Sequence, residues 1–98
     1  MLEVKKVLIS RGEMIESLEY HDLKKMKFYI YSYKILKGRR WITIARWDNL
    51  DGMEHMDIYD ENGNYMETKD FPKRKFEDIV KIVKTFRRNI IAMDLSNV

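Results

Sequence analysis

The chain has no cysteine, and that absence removes disulfide staples, thiolate zinc sites and a cysteine nucleophile together. There is one proline, Pro72, and only four glycines, and no glycine-rich phosphate loop or nucleophile elbow occurs, which argues against chemistry of those two kinds. No apolar run approaches the roughly 18 residues of a membrane helix. The opening Met-Leu-Glu-Val-Lys-Lys lacks the apolar stretch of a signal peptide. A soluble cytoplasmic protein with no membrane partner is therefore expected. Glutamine is absent while Lys, Glu and Ile abound, which leans toward a thermostable chain; seven methionines and five asparagines oppose that inference.

What is present fits one compact domain spanning residues 1–98, because 98 residues leave room for no more. Hydrophobic residues at 45%, 12% of the chain being aromatic, argue against disorder, although 36% of residues are charged and the mean hydropathy is −0.52. The net charge of +3 conceals segregation. Residues 1–50 carry +5, residues 51–68 carry −6 with no Lys or Arg at all, and residues 69–98 carry +4. A basic balance of this kind permits nucleic-acid binding, and a solvated surface gives the same numbers.

Val4 to Ile9 is a short β-prone run. Met14, Ile15 and Leu18 suit a short helix over about 13–19 and a strand nearly as well. From Lys27 the pattern sharpens. Lys27–Leu36 is rich in Tyr, Phe and Ile, Lys37-Gly38-Arg39 reads as a turn, and Trp41–Trp47 is the return strand. Asp48-Asn49-Leu50-Asp51-Gly52 is a turn, Met53–Tyr59 a third strand, the Asn62-Gly63 pair a tight hairpin, and Asn64–Lys69 a shorter fourth strand. After Asp70-Phe71-Pro72, an apolar stripe of Phe76, Ile79, Val80, Val83, Phe86 and Ile90 predicts a long helix. The expected fold is α+β: an antiparallel meander of about four strands with a C-terminal helix packed on one face.

Strand parity then assigns faces. If Leu36 pairs with Trp41 and Asp48 with Met53, one face holds Phe28, Ile30, Leu36, Trp41, Ala45, Trp47, Met56 and Ile58 and receives the helix. The other holds Tyr29, Tyr31, Tyr33 and Ile35 together with Arg46, Asp48, His55 and Asp57. A histidine beside carboxylates can transfer protons near neutral pH, an arginine can hold a phosphate, and tyrosine rings can stack on unpaired bases. That combination suits binding or cleaving single-stranded RNA, with His55, Asp48 and Asp57 as catalytic groups and Arg46, Tyr29, Tyr31 and Tyr33 binding substrate. The competing reading is a non-catalytic module: ordinary cross-strand ion pairs, and a tyrosine face that forms a homodimer or takes a protein partner. No cofactor is implied. A metal among Asp48, Asp51, Glu54, His55 and Asp57 is disfavoured, because alternation sends Glu54 to the face opposite His55. Arg39-Arg40-Trp41 and Lys73-Arg74-Lys75 are basic clusters that either track a phosphate backbone or are simply solvated.

The stretch Ala45-Arg46-Trp47-Asp48-Asn49, followed by Gly52, His55 and Phe71-Pro72 before a helix, resembles the TumE-like family of small toxin components over about residues 27–90. The resemblance marks Arg46, Asp48, Asn49 and His55, and implies an RNA or translation-related target and a cognate antitoxin as partner. Lys73-Arg74-Lys75 departs from the histidine-rich segment that follows the proline in those toxins.

Overall fold

The computed structural model describes residues 1–92; the last six residues of the expected domain lie outside that range. Six strands run in chain order across one antiparallel sheet, β1 (Leu2–Ser10), β2 (Glu13–Asp22), β3 (Lys25–Lys37), β4 (Arg40–Asp48), β5 (His55–Tyr59) and β6 (Tyr65–Asp70). A helix, α1 (Phe76–Phe86), and a 3₁₀ helix (Arg87–Ala92) follow. The α+β meander is therefore as expected, with six strands rather than about four. The ambiguous segment after Gly12 is a full strand: Ile15 and Ser17 are buried opposite Tyr33 and Tyr31, and this tertiary pairing outweighs a weak helical spacing. None of the helices among the described residues is long and apolar enough to cross a membrane.

The faces of β3 differ from the parity assignment. Near the turn the expected pairing holds, Leu36 opposite Trp41 and Ile35 opposite Ile42. Ile44 is then an extra residue, a bulge, and beyond it Tyr33 pairs with Ala45 and Tyr31 with Trp47. One inserted residue moves every following side chain to the other face. Tyr29, Tyr31, Tyr33 and Ile35 therefore lie with Ala45, Trp47, Met56 and Ile58 in the core under α1, while Phe28, Leu36 and Trp41 are exposed on the open face. The composition of β3 explains the choice. Its even-numbered side carries Ser32 and Lys34 in mid-strand, and burying Lys34 under a helix would cost several kcal/mol. Its odd-numbered side is uninterrupted, and each tyrosine ring removes about 150–250 Å² from water.

The helix seats Phe76, Ile79, Ile82 and Val83 in that core, with Phe76 5.2 Å from the Tyr31 ring. It stops earlier than the apolar stripe suggested, at Phe86, because Arg87 takes a positive φ of 53°. The 3₁₀ turns then carry Ile90 back into the core. Pro72 lies in the connector between β6 and α1.

Each core tyrosine keeps its hydroxyl satisfied at the rim. Tyr29 donates to Glu54, Tyr31 to Glu19 and Tyr33 to Glu13. Burial first, and then the Glu19 carboxylate, push the Tyr31 hydroxyl well above its ordinary value. Glu13 is buried and also accepts from Ser10 and from the Arg87 guanidinium, which anchors the end of α1 to β2. Arg87→Ala leaves that buried carboxylate with hydroxyl donors alone and is expected to cost about 1–3 kcal/mol, read as a lower urea midpoint at unchanged slope.

Candidate functional site

Bulging of β4 leaves Arg46 and Asp48 on the open face, and the next pairing brings β5 beside them. Asp48 stands opposite His55 and Arg46 opposite Asp57, a register two residues away from the expected Asp48–Met53 pairing. A two-residue slip preserves the face, so the four side chains meet as expected with different neighbours. The Arg46 Nε donates to Asp48 Oδ2 at 2.8 Å. His55 Nε2 lies 3.4 Å from Asp48 Oδ1 and 3.3 Å from Asp57 Oδ2.

The turn between β4 and β5 holds this cluster in place. Asp48 Oδ1 accepts the Leu50 N–H at 3.1 Å, and Asp51 Oδ1 accepts that of Met53. The Met53 carbonyl in turn takes the Nδ1 hydrogen of His55 at 3.0 Å, which directs Nε2 at the two carboxylates. Asp48 is almost fully buried at 1% exposure, whereas His55 and Asp57 each keep 13% of their side chains open to solvent. Asp57 also accepts from the Thr68 hydroxyl at 2.6 Å.

Burial on its own lowers the His55 pKa. The Met53 carbonyl and the carboxylates of Asp48, Asp57 and Asp51 outweigh it, so the net direction is upward from 6.5. Folding therefore favours the imidazolium. Its stabilising contribution is complete below the unfolded value and is lost as pH rises through the raised folded value. In an NMR titration His55 is expected to show its midpoint above 6.5 in the wild type and a lower one in Asp57→Asn. A midpoint below 6.5 in the wild type would overturn this.

The remaining predicted site residues are placed elsewhere. Tyr29, Tyr31 and Tyr33 are in the core on the other face and are not open to a base or a partner protein; a homodimer through a tyrosine face has no such face to use. Asn49 has both ends of its amide engaged, Oδ1 accepting from the Tyr29 N–H and Nδ2 donating to the Lys27 carbonyl, so it ties the turn to β3. Glu54 is on the face opposite His55, as alternation requires, and meets Tyr29.

Sequence reading missed the cavity beside the cluster. About 440 Å³ of open space lies on the same face, walled by Ser32, Lys34, Trp41, Thr43, Arg46 and Tyr59. Those residues share a face only because of the bulge, which no spacing in the sequence announces. Tyr59 has its pKa raised by burial, against the opposing effect of Arg46.

Asp48, His55 and Asp57 also present ligand atoms within 4.8 Å of one another, a spacing a divalent cation could bridge; the Arg46 guanidinium already occupies one Asp48 oxygen. The arrangement equally suits a shared proton. Residues 15–89 match the profile of a domain of unknown function, DUF7718. The chain belongs to that family. The matched stretch takes in nearly all of β2, all of β3 to β6 and α1, so the DUF7718 region contains the whole Arg46, Asp48, His55 and Asp57 cluster and leaves β1 outside. No curated protein and no solved structure matches the chain.

Proposed function

We propose that this protein is an RNA-directed toxin-like protein that binds single-stranded RNA on the open face of its sheet and cleaves it by acid–base chemistry. The observation that carries the reading is the position of His55: Nδ1 fixed by a backbone carbonyl, Nε2 held between two carboxylates, and an arginine beside them. Arg46 spends only its Nε on Asp48 and lines the neighbouring cavity, so its two amines are offered to a phosphate there. Asp57, the more exposed carboxylate, takes the proton from a ribose 2′-hydroxyl as its oxygen attacks the adjacent phosphorus. The His55 imidazolium gives a proton to the departing 5′-oxygen as the P–O bond breaks, leaving a 2′,3′-cyclic phosphate and a free 5′-hydroxyl. Asp48, buried and accepting from Arg46 and the Leu50 N–H, positions both cations.

The resemblance of Ala45–Asn49 and His55 to TumE-like toxins points the same way, and brings a cognate antitoxin protein as the partner. Purified protein with end-labelled single-stranded RNA tests the reading. Cleavage is expected, with Arg46→Ala weakening RNA binding about ten-fold or more. If RNA is neither bound nor cut, or if Arg46→Ala behaves as the wild type, the reading falls. A small antitoxin-like gene adjoining this one would support the partner.

A further inference from the structure

The cavity beside Arg46 combines features that a solvated groove does not need. Its floor is the bulged stretch of β4 with Ser32 and Lys34 of β3, and its far wall is the turn between β5 and β6, with Asn62 and Gly63. That wall is held rigidly. Asp60 Oδ1 accepts the N–H groups of both Asn62 and Asn64, at 2.8 and 2.9 Å, and Lys37 donates to the Asn62 side-chain oxygen at 3.0 Å. Gly63 takes a φ of 83° there, a conformation that side-chain-bearing residues rarely adopt.

Three cations line this space, and they are differently committed. Lys34 is bonded to Glu16 at 3.0 Å, and Arg46 uses its Nε on Asp48. The Arg40 side chain makes no hydrogen bond or ion pair among the described residues, but Arg40 pairs with Lys37 and stands on the other side of β4 from Trp41 and Thr43, at the far end of the strand from Arg46. The amines of Arg46 therefore offer charge that the protein itself does not consume. On the same face the Trp41 side chain is 38% exposed, and the hydroxyl-bearing Ser32, Thr43 and Tyr59 line the same volume. A dianionic group, a flat ring and a polyhydroxyl unit are the complements of these three sets.

We propose that the cavity is a nucleotide subsite, which takes one nucleoside monophosphate unit with its phosphate on Arg46 and its base against Trp41. The subsite rests on the RNA reading in that it places one nucleotide of the strand next to His55. Arg46 belongs to both the cavity and the catalytic cluster, so a phosphate bound there lies at the edge of the acid–base groups. Inorganic phosphate fits the cations and leaves the ring and hydroxyls unused.

The test uses the full chain and ligands that cannot be cleaved: a nucleoside 3′-monophosphate, the corresponding nucleoside, and inorganic phosphate, each followed by isothermal titration and by quenching of Trp41 emission. Trp47 is buried at 1% exposure and supplies a constant background. The monophosphate is expected to bind at least ten-fold more tightly than either fragment. Arg46→Ala should weaken it about ten-fold, Trp41→Ala should abolish the quenching and weaken binding, and Lys81→Ala, on the exposed side of α1, should change neither. Binding of phosphate as tight as the nucleotide, no nucleotide binding, or indifference to Arg46→Ala and Trp41→Ala together would each overturn the subsite. RNA cleavage is scored separately: nucleotide binding without cleavage keeps the subsite and removes the catalytic reading, and cleavage without nucleotide binding does the reverse.

Discussion

Tyr31→Glu is expected to unfold the protein, and Tyr31→Ala to destabilise it by about 3–5 kcal/mol, the range for deleting a large buried ring. Tyr31 is completely buried, stacked 4.7 Å from the Tyr29 ring and tilted against Phe76 of the helix. Its hydroxyl already donates to Glu19, so a carboxylate at position 31 would meet a second carboxylate in a dry site. For a protein of this size 3–5 kcal/mol is a large share of the usual 5–15 kcal/mol. Circular dichroism during urea unfolding reads both variants. A folded Tyr31→Glu protein with a near-wild-type midpoint would mean that the tyrosines do not face the helix. Phe28→Glu and Leu36→Glu, at exposed positions on the open face, are the contrasting controls and should retain the fold.

Loss of the imidazole is the second large effect. His55→Ala is expected to lower RNA cleavage by about 10²–10⁴-fold, the usual contribution of a positioned acid or base. RNA binding should fall far less, because the phosphate is assigned to Arg46 and the cavity. His55→Ala removes one cation from beside Asp48, Asp57 and Asp51, so its stability relative to wild type should depend on pH in a definite sense. The wild-type advantage is largest in mildly acidic solution, where the imidazolium is paired with those carboxylates, and shrinks as pH rises past the raised His55 value. Cleavage unchanged in His55→Ala would exclude this imidazole from the chemistry, whatever the binding data showed. A cleavage rate that falls together with the folded fraction would report on stability alone, so both are measured at one pH and temperature.

Much of the site was readable from residue types and alternation. Arg46 and Asp48 stand two apart on one strand, His55 and Asp57 two apart on the next, and any even slip between the strands leaves all four together. The actual slip of two residues changed which pairs face each other and left the cluster intact. The three tyrosines lie on the other face from the one alternation predicts, for an equally definite reason. Parity counted from Leu36 and Trp41 along β3 and β4 requires a regular ladder, and the bulge at Ile44 interrupts it. A warning was nevertheless present in the strand. A core built from Phe28, Ile30 and Leu36 also has to contain Ser32 and Lys34, whereas Tyr29, Tyr31, Tyr33 and Ile35 form an unbroken apolar side. Weighing whole sides of β3, rather than its apolar members, favours the observed register.

The helix boundary shows the same division. Spacing correctly selected Phe76, Ile79, Val83 and Ile90 as core residues, yet Ile90 arrives there through a 3₁₀ segment after Arg87 turns to positive φ. Arg87 is held by Glu13, 74 residues away in the chain. No local pattern reports a contact of that separation, and helix propensity by itself would have continued the helix.

The sequence alone determined that the chain holds no cysteine, that it alternates into an antiparallel meander, and that a basic side chain, a histidine and two aspartates share a face. These follow from composition and a period of two, which are local properties. Tertiary structure decided which face the helix covers, which tyrosines are core, and that a cavity opens beside Arg46. The physical reason is that one extra residue in β4 costs little locally, while the side of β3 that it buries is decided only when helix, strands and solvent compete for the same surface.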